Sequence, residues 1–418
     1  MAMADSPSGP HGEALHVSGS ARPLGPSTPL KGAVYVDSPV VSAIRQIRPF
    51  FESGIFCRAE TPLFLKRRAS VDVQLRFSRL RGAQAGSVER CRSVTDMPLS
   101  TGGVVFYPFN SQSNLNAVTN RHVFHVLTLH GESNKSASQR PAARLYDYVT
   151  AAGPLARDRY LEARIFSRED VDNGRLLMMG DSFVQGLPWI RAATNRDDDP
   201  AILYCPTWEG YGDGRDCYSS LPDRRGFHIL EAALRATRST RVVIKPHPYL
   251  GLLRRSLIHD LVQGIRSLKD QRVRVELALG DANWLTRAAC RLHLPRVTRL
   301  HETREQIIPL RMGLCDVSGM EAIMLKQRIP HMVITRSADI PEAIGAFYLG
   351  KTIRPDTAVD HAVRSYLDAA EDTDAQHRTR VFGYQEPALE QMDSAARRAW
   401  LIDHVQRNPF WTRAGRPA

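Results

Sequence analysis

Short apolar runs alternate with amphipathic stretches through most of the chain, a pattern that predicts βαβ units around a parallel sheet. Residues 33–36 read as a strand, 41–51 as a helix, and 71–77, 103–107 and 123–129 as further strands, while 78–100 shows no clear period. A strand unit over 144–154 closes on Gly153-Pro154, and a helix over 155–164 follows it. The polar stretch 194–200, with Asp197-Asp198-Asp199, is the expected linker. Adjacent carboxylates attract magnesium, but a solvated turn explains the three without an ion. Beyond it the alternation restarts with strand 201–205, helix 226–237, strand 241–245, helix 251–268, strand 272–279 and a helix near 283–291. A helix ending near Met312, a short strand into Cys315, a helix after Ser318 and a strand over 331–335 complete a second doubly wound half. Residues 358–370 and 387–405 read as helices that return across the first half. No fixed-period repeat is visible. The expected organisation is a disordered leader over 1–30, a Rossmann-like domain over 31–193, a second over 194–375, and a helical segment over 376–418.

With 418 residues, 43% of them hydrophobic, the chain can bury a core in each half. Its formal net charge of +12 implies an anionic partner: a phosphorylated substrate, an acidic membrane surface or a nucleic acid. The basic residues are dispersed, with small clusters at Lys66-Arg67-Arg68, Arg254-Arg255 and Arg397-Arg398, and no zinc-finger, RNA-binding or helix-turn-helix signature accompanies them. Nucleic acid is therefore not an expected partner. Six scattered cysteines without a CxxC pair read as reduced thiols. No signal-peptide layout and no apolar run of about 20 residues is present, so a cytoplasmic protein, soluble or peripheral on the inner face of the membrane, is expected.

Two segments carry the same build. Residues 123–129 run into His130-Gly131-Glu132-Ser133-Asn134-Lys135, and Val242-Val243-Ile244 into Lys245-Pro246-His247-Pro248. A histidine at a strand's carboxyl end can take a proton from a hydroxyl near neutral pH, although a His-Gly pair also fits a plain turn. The flanking prolines keep His247 out of a helix, beside Lys245, where it is suited to a phosphate gaining charge; a helix-capping histidine fits as well. Thr207 and Trp208 follow another strand and suit either a turn or a nucleotide-contacting loop. In Asp316-Val317-Ser318-Gly319 a strand ends in a tight turn that can hold a phosphate, but Ser318 with Glu321 equally forms a capping box. No GxGxxG, Walker loop or Gly-x-Ser-x-Gly elbow occurs. No metal site and no cofactor is expected.

Taken in order, His130-Gly131 with Lys135, Leu203-Tyr204-Cys205-Pro206-Thr207-Trp208, Lys245-Pro246-His247-Pro248 and Asp316-Val317-Ser318-Gly319 resemble the motifs of the CDP-glycerol glycerophosphotransferase family, the teichoic acid and capsule polymerases. The match spans 103–335. It departs where Glu-Ser-Asn-Lys replaces Thr-Pro-Leu-Lys, where Lys245 stands for a common arginine, and where Gly319 stands for a second serine. The resemblance implies a GT-B fold: two Rossmann-like domains facing across a cleft, with C-terminal helices. It implies transfer of a polyol phosphate from a CDP-linked donor to a hydroxyl on a polymer or lipid-linked acceptor, with release of CMP. In that reading His130 is the general base, His247 and Lys245 stabilise the diphosphate, and Gly131, Lys135, Thr207, Trp208, Asp316, Ser318 and Gly319 contact donor or nucleotide. An anionic membrane surface is a further expected partner. Nucleotide-sugar transferases of the same fold, including those using CMP-sialic acid, carry similar His-Pro and serine turns, and an inactive polyanion-binding homologue is the non-enzymatic alternative.

Overall fold

The computed structural model describes residues 29–37, 41–66, 89–129, 131–135, 140–210, 218–336 and 350–408. The expected leader up to residue 28, the strand expected over 71–77, and His130 lie outside the described residues.

Among the described residues the first lobe is built on seven parallel strands: β1 (Leu30–Val36), β2 (Leu63–Lys66), β3 (Glu89–Cys91), β4 (Leu99–Tyr107), β5 (Phe124–Leu127), β6 (Tyr148–Ala151) and β7 (Leu176–Met178). Their order is β3-β2-β1-β4-β5-β6-β7. Successive residues of one strand enter two different cores: Val34, Val104 and Val126 pack on one face, Tyr35, Val105 and Leu127 on the other. Burial on both faces explains why these strands read as continuous apolar runs. The second lobe holds β8 (Ile190–Ala192), β9 (Ala201–Cys205), β10 (Arg241–Ile244), β11 (Arg274–Leu277), β12 (Thr298–Arg299), β13 (Ile308–Asp316), β14 (His331–Ile334) and β15 (Thr352–Ile353), in the order β12-β11-β10-β9-β13-β14-β15 with β8 beside β13, again all parallel. The winding reverses between β1 and β4 in one sheet and between β9 and β13 in the other. In open α/β sheets the crevice at such a reversal, off the carboxyl ends of the strands, is where ligands bind.

Two expectations need correction. Strand β8 precedes Thr194 yet belongs to the second sheet, so the crossover lies ahead of the expected linker. Asp197 there pairs with Arg191 and accepts the Thr194 N–H at 2.8 Å, anchoring a surface turn inside the second lobe. The helix expected to end near Met312 is instead the first half of β13, where Ile308, Leu310 and Met312 are buried in alternation with Pro309 and Arg311. Pro309 has no N–H to give to a helix and clashes with the preceding turn.

The principal helices are α1 (Val41–Glu52), α2 (Pro154–Glu162), α3 (Arg225–Thr237), α4 (Ser256–Asp270), α5 (Trp284–His293), α6 (Met320–Lys326), α7 (Val359–Asp368), α8 (Ala370–Val381) and α9 (Ser394–Arg407). Helix α8 bridges α2 of the first lobe and α6 of the second, and α9 closes the first lobe by burying Leu401, Ile402 and Val405 against Val34 and Phe106. The crossing is fastened at Asp181, whose Oδ1 accepts from Tyr384 Oη and Arg397 Nη1 at 2.8 Å each, while Lys326 Nζ donates to the Asp181 carbonyl at 3.0 Å. Gly180 has φ +57°, and a Cβ there would fall 2.0 Å from the Tyr384 ring, so a side chain is excluded twice over. No helix among the described residues is long and apolar enough to cross a membrane.

Candidate functional site

The motifs converge where the second sheet reverses. Strand β9 delivers Pro206-Thr207-Trp208, β10 delivers Lys245 and His247, and β13 ends at Asp316. Asp316 is fully buried and ties these segments together: its Oδ2 accepts the Thr207 N–H at 2.7 Å and the Ser220 N–H at 3.1 Å. Its Oδ1 is buried with no hydrogen-bond partner among the described residues. Burial pushes the carboxyl up to about 6 against the pull of those donors and of Lys135. Held in this way, the Thr207 hydroxyl meets the Lys135 ammonium of the first lobe, Nζ to Oγ1 at 2.6 Å. Residues 72 positions apart thus close a contact across the cleft.

His247 is oriented from three sides. Its half-buried ring stacks on Trp208 at 5.8 Å and 15°, and Tyr249 stands edge-on to both rings. The Tyr249 N–H donates to His247 Nδ1 at 3.1 Å, which leaves the proton of the neutral ring on Nε2. Burial, then the positive charges of Lys135 and Lys245, hold the imidazole well below its ordinary pKa. The result is a fixed neutral donor, suited to an oxygen that gains charge during a reaction.

Lys245, expected at the diphosphate, is engaged by two acids of its own lobe. Its buried ammonium lies 3.3 Å from Asp281 and 3.1 Å from Glu302, and these carboxylates outweigh its desolvation and raise its pKa. The reason lies in the strand order: the loops after β11 and β12 both start at the carboxyl edge of the sheet and present acids there.

On the first-lobe side, Arg159 of α2 pairs with Glu132 and donates to Asn134 Oδ1 at 2.5 Å. Asn134 Nδ2 in turn donates to Glu321 Oε2 at 3.4 Å in the second lobe. Glu321 is thereby turned toward the cleft, and the capping box that its spacing from Ser318 equally allowed is absent, since α6 has no side-chain cap. Ser318 remains buried, its Oγ accepting only a long 3.4 Å bond from the Met320 N–H. Gly131 has φ +143°, a conformation that disfavours side chains. A Cβ on Gly319 would come within 3.3 Å of the Glu132 carbonyl, so glycine in place of the second serine lets the two loops approach.

Sequence reasoning passed over Arg225, at the start of α3. One of its buried guanidinium nitrogens, Nη2, has no hydrogen-bond partner among the described residues, and burial followed by nearby Arg336 lowers its pKa, while Asp316 favours its charge. An arginine in the first turn opposes the helix dipole, and that anomaly was the readable signal. Lys135, Arg225 and Arg336 bring positive charge to the Asp316 corner, which suits an anion. Ser220 and Arg159 carried no local signal. Among the described residues no cluster of metal-ligating side chains is present.

Two doubly wound parallel sheets meeting at their carboxyl edges, with the last helix returned to the first lobe, define a two-lobed GT-B-like protein. Among solved structures the chain is similar to a UDP-N-acetylglucosamine 2-epimerase from Rickettsia bellii, at 10% identity and TM-score 0.46 over 92% of this chain and 98% of that one. It is similar to a trehalose-6-phosphate synthase, at 9% identity and TM-score 0.43 over 90% and 99%. An E. coli heptosyltransferase solved with ADP matches at 10% identity and TM-score 0.37 over 82% and 99%. The fold assignment rests on the strand order and not on these likenesses. No protein-family model matches the chain. No curated protein matches it either.

Proposed function

We propose that the protein transfers a polyol phosphate from a CDP-linked donor to a hydroxyl of a teichoic acid-like or capsular polymer, releasing CMP. The observation that carries this reading is the Lys135–Thr207 contact beside His247, which brings three of the four ordered motifs to one crevice; the fourth, at Asp316, holds Thr207 in place. In this reaction the acceptor oxygen attacks the phosphorus that bears the polyol. The bond from that phosphorus to the bridging oxygen breaks, and CMP leaves with the electron pair. His130 takes the acceptor proton. His247 Nε2–H, Lys135 and Arg225 face the diphosphate, and Thr207 and Ser318 contact donor oxygens. Asp316 is a positioning residue, because its carboxylate orders the Thr207 and Ser220 backbone.

General-base help is worth about 10²–10⁴-fold. His130→Ala should lower turnover by that factor with an unchanged melting midpoint, and a near-wild-type rate would remove His130 from the mechanism. The donor class is read by melting the protein with CMP, CDP, CTP, UDP and CDP-glycerol, since a ligand of the native state raises the midpoint by mass action. A cytidine-specific rise supports the proposal. A rise with UDP alone would favour a nucleotide-sugar transferase of the same fold.

A further inference from the structure

Large apolar side chains at the surface are few, and they are not evenly spread. Of the seven exposed ones among the described residues, four lie on one edge of the second lobe: Leu252 and Leu253 (58% exposed) in the loop before α4, and Trp284 (68%) and Leu292 (75%) at the two ends of α5. The remaining three, Leu115, Leu145 and Ile307, lie outside these segments. Trp284, Ala288 and Leu292 recur every four residues on the face of α5 opposite buried Thr286 and Cys290. The loop and the helix start are joined, because Asn283 Nδ2 donates to the carbonyls of Pro248 and Leu250 at 2.9 and 2.8 Å. Between α4 and α5 lies a groove of about 380 Å³, apolar at Ile258, Val262, Leu285 and Ala289 and rimmed by Arg255 and Arg266.

The charge of α5 and the loop after it is one-sided, while α4 carries Asp260 and Asp270 beside its basic residues. From Asn283 to His301 the chain has Arg287, Arg291, Arg296 and Arg299 and no acidic residue, and Arg254-Arg255 adjoins Leu253. Protruding Trp and Leu beside arginines are the side chains that settle at a bilayer interface, where the indole sits among headgroups and the guanidinium meets lipid phosphate. We infer that this α4–α5 edge is the surface by which the protein docks on an anionic bilayer. Its position relative to the cleft is fixed. The buried carboxylate of Glu209, next to Trp208, accepts the N–H groups of Gly251 (3.0 Å), Leu253 (2.6 Å) and Arg254 (2.9 Å), so the exposed loop is tied to the residues that hold His247. Given the proposed reaction, a lipid-anchored acceptor reaches the cleft from this side; the docking surface itself does not depend on that reaction.

The test is co-sedimentation of the full chain, without substrate, with vesicles of pure phosphatidylcholine and of phosphatidylcholine with 30% phosphatidylglycerol. The expected result is binding to the anionic vesicles at low salt. Trp284→Glu with Leu253→Gln should lower the partition coefficient at least tenfold at an unchanged melting midpoint, and Arg287→Gln and Arg291→Gln should each lower it about fivefold. Should the apolar pair unfold the chain, the arginine variants carry the test alone. Three results overturn the inference: no vesicle binding at low salt, binding that none of these variants weakens, or a concentration-dependent dimer that the variants dissolve in the absence of vesicle binding. Because no nucleotide is present, none of these outcomes bears on the transferase reading.

Discussion

Lys135 and Lys245 are near twins in the sequence, each a cation close to a histidine at the end of a buried strand, yet the fold puts them to different uses. Lys135 leaves its own lobe and meets Thr207 across the cleft at 2.6 Å. Lys245 turns back within its lobe and is held between Asp281 and Glu302. An ammonium is a point charge on a flexible stem, so its role is set by which acceptors lie within reach. For Lys245 those acceptors come from loops 36 and 57 residues away, which no local pattern announces. The comparison separates a cation facing the cleft from one that shapes it.

The largest effect is expected at Lys135. Removing one preorganised donor from a developing charge costs about 10²–10³ in turnover, so Lys135→Ala should lower CMP release from CDP-glycerol by about 100-fold while its melting midpoint stays within a degree or two. Lys245→Ala should do the reverse. It takes the ammonium from the largely buried Glu302 carboxylate and leaves it with the Gly280 N–H, a loss of about 1–3 kcal/mol seen as a lower urea midpoint, with turnover falling much less than in Lys135→Ala. Glu302→Gln is the milder break of the same pair, since Asp281 still faces the ammonium; about 1 kcal/mol is expected.

The smallest effect concerns pH. His247 is held neutral below its ordinary pKa, so the unfolded chain takes up this proton first as pH falls. The stability linked to this ring is complete above about 6.5 and is lost as pH drops below that value. Asp316 works in the opposite sense, because its carboxyl at about 6 is relieved of a buried charge as pH falls. The difference between wild type and His247→Gln isolates the histidine: urea midpoints taken from pH 7 to 5 should fall less steeply in the variant. Parallel slopes would show that the ring is not held neutral in the fold.

How much of this was legible follows from the same distinction. Strands buried on both faces, such as β5 and β10, announce themselves as unbroken apolar runs, and the residues that follow them, Lys135, Thr207, His247 and Asp316, could be named because function gathers at such ends. The start of β13 was misread as helix, since Pro309 and Arg311 interrupt its apolar run and only pairing with β8 and β9 decides the matter. Edge strands of two or three residues, β8, β12 and β15, are too short to show a period. Within the site, Arg159–Asn134 and Asn134–Glu321 join positions 25 and 187 residues apart, so that both the absence of a capping box at Ser318 and the use of Glu321 were invisible before folding.

The central claim is that both lobes build one binding site for a cytidine diphosphate, and calorimetric titration of CDP into wild type, Lys135→Ala and His247→Ala reads it directly. Binding weakened at least tenfold by a substitution on either side of the cleft is the predicted result. Wild-type affinity in Lys135→Ala, with loss confined to His247→Ala, would place the nucleotide on the second lobe alone and contradict the shared site.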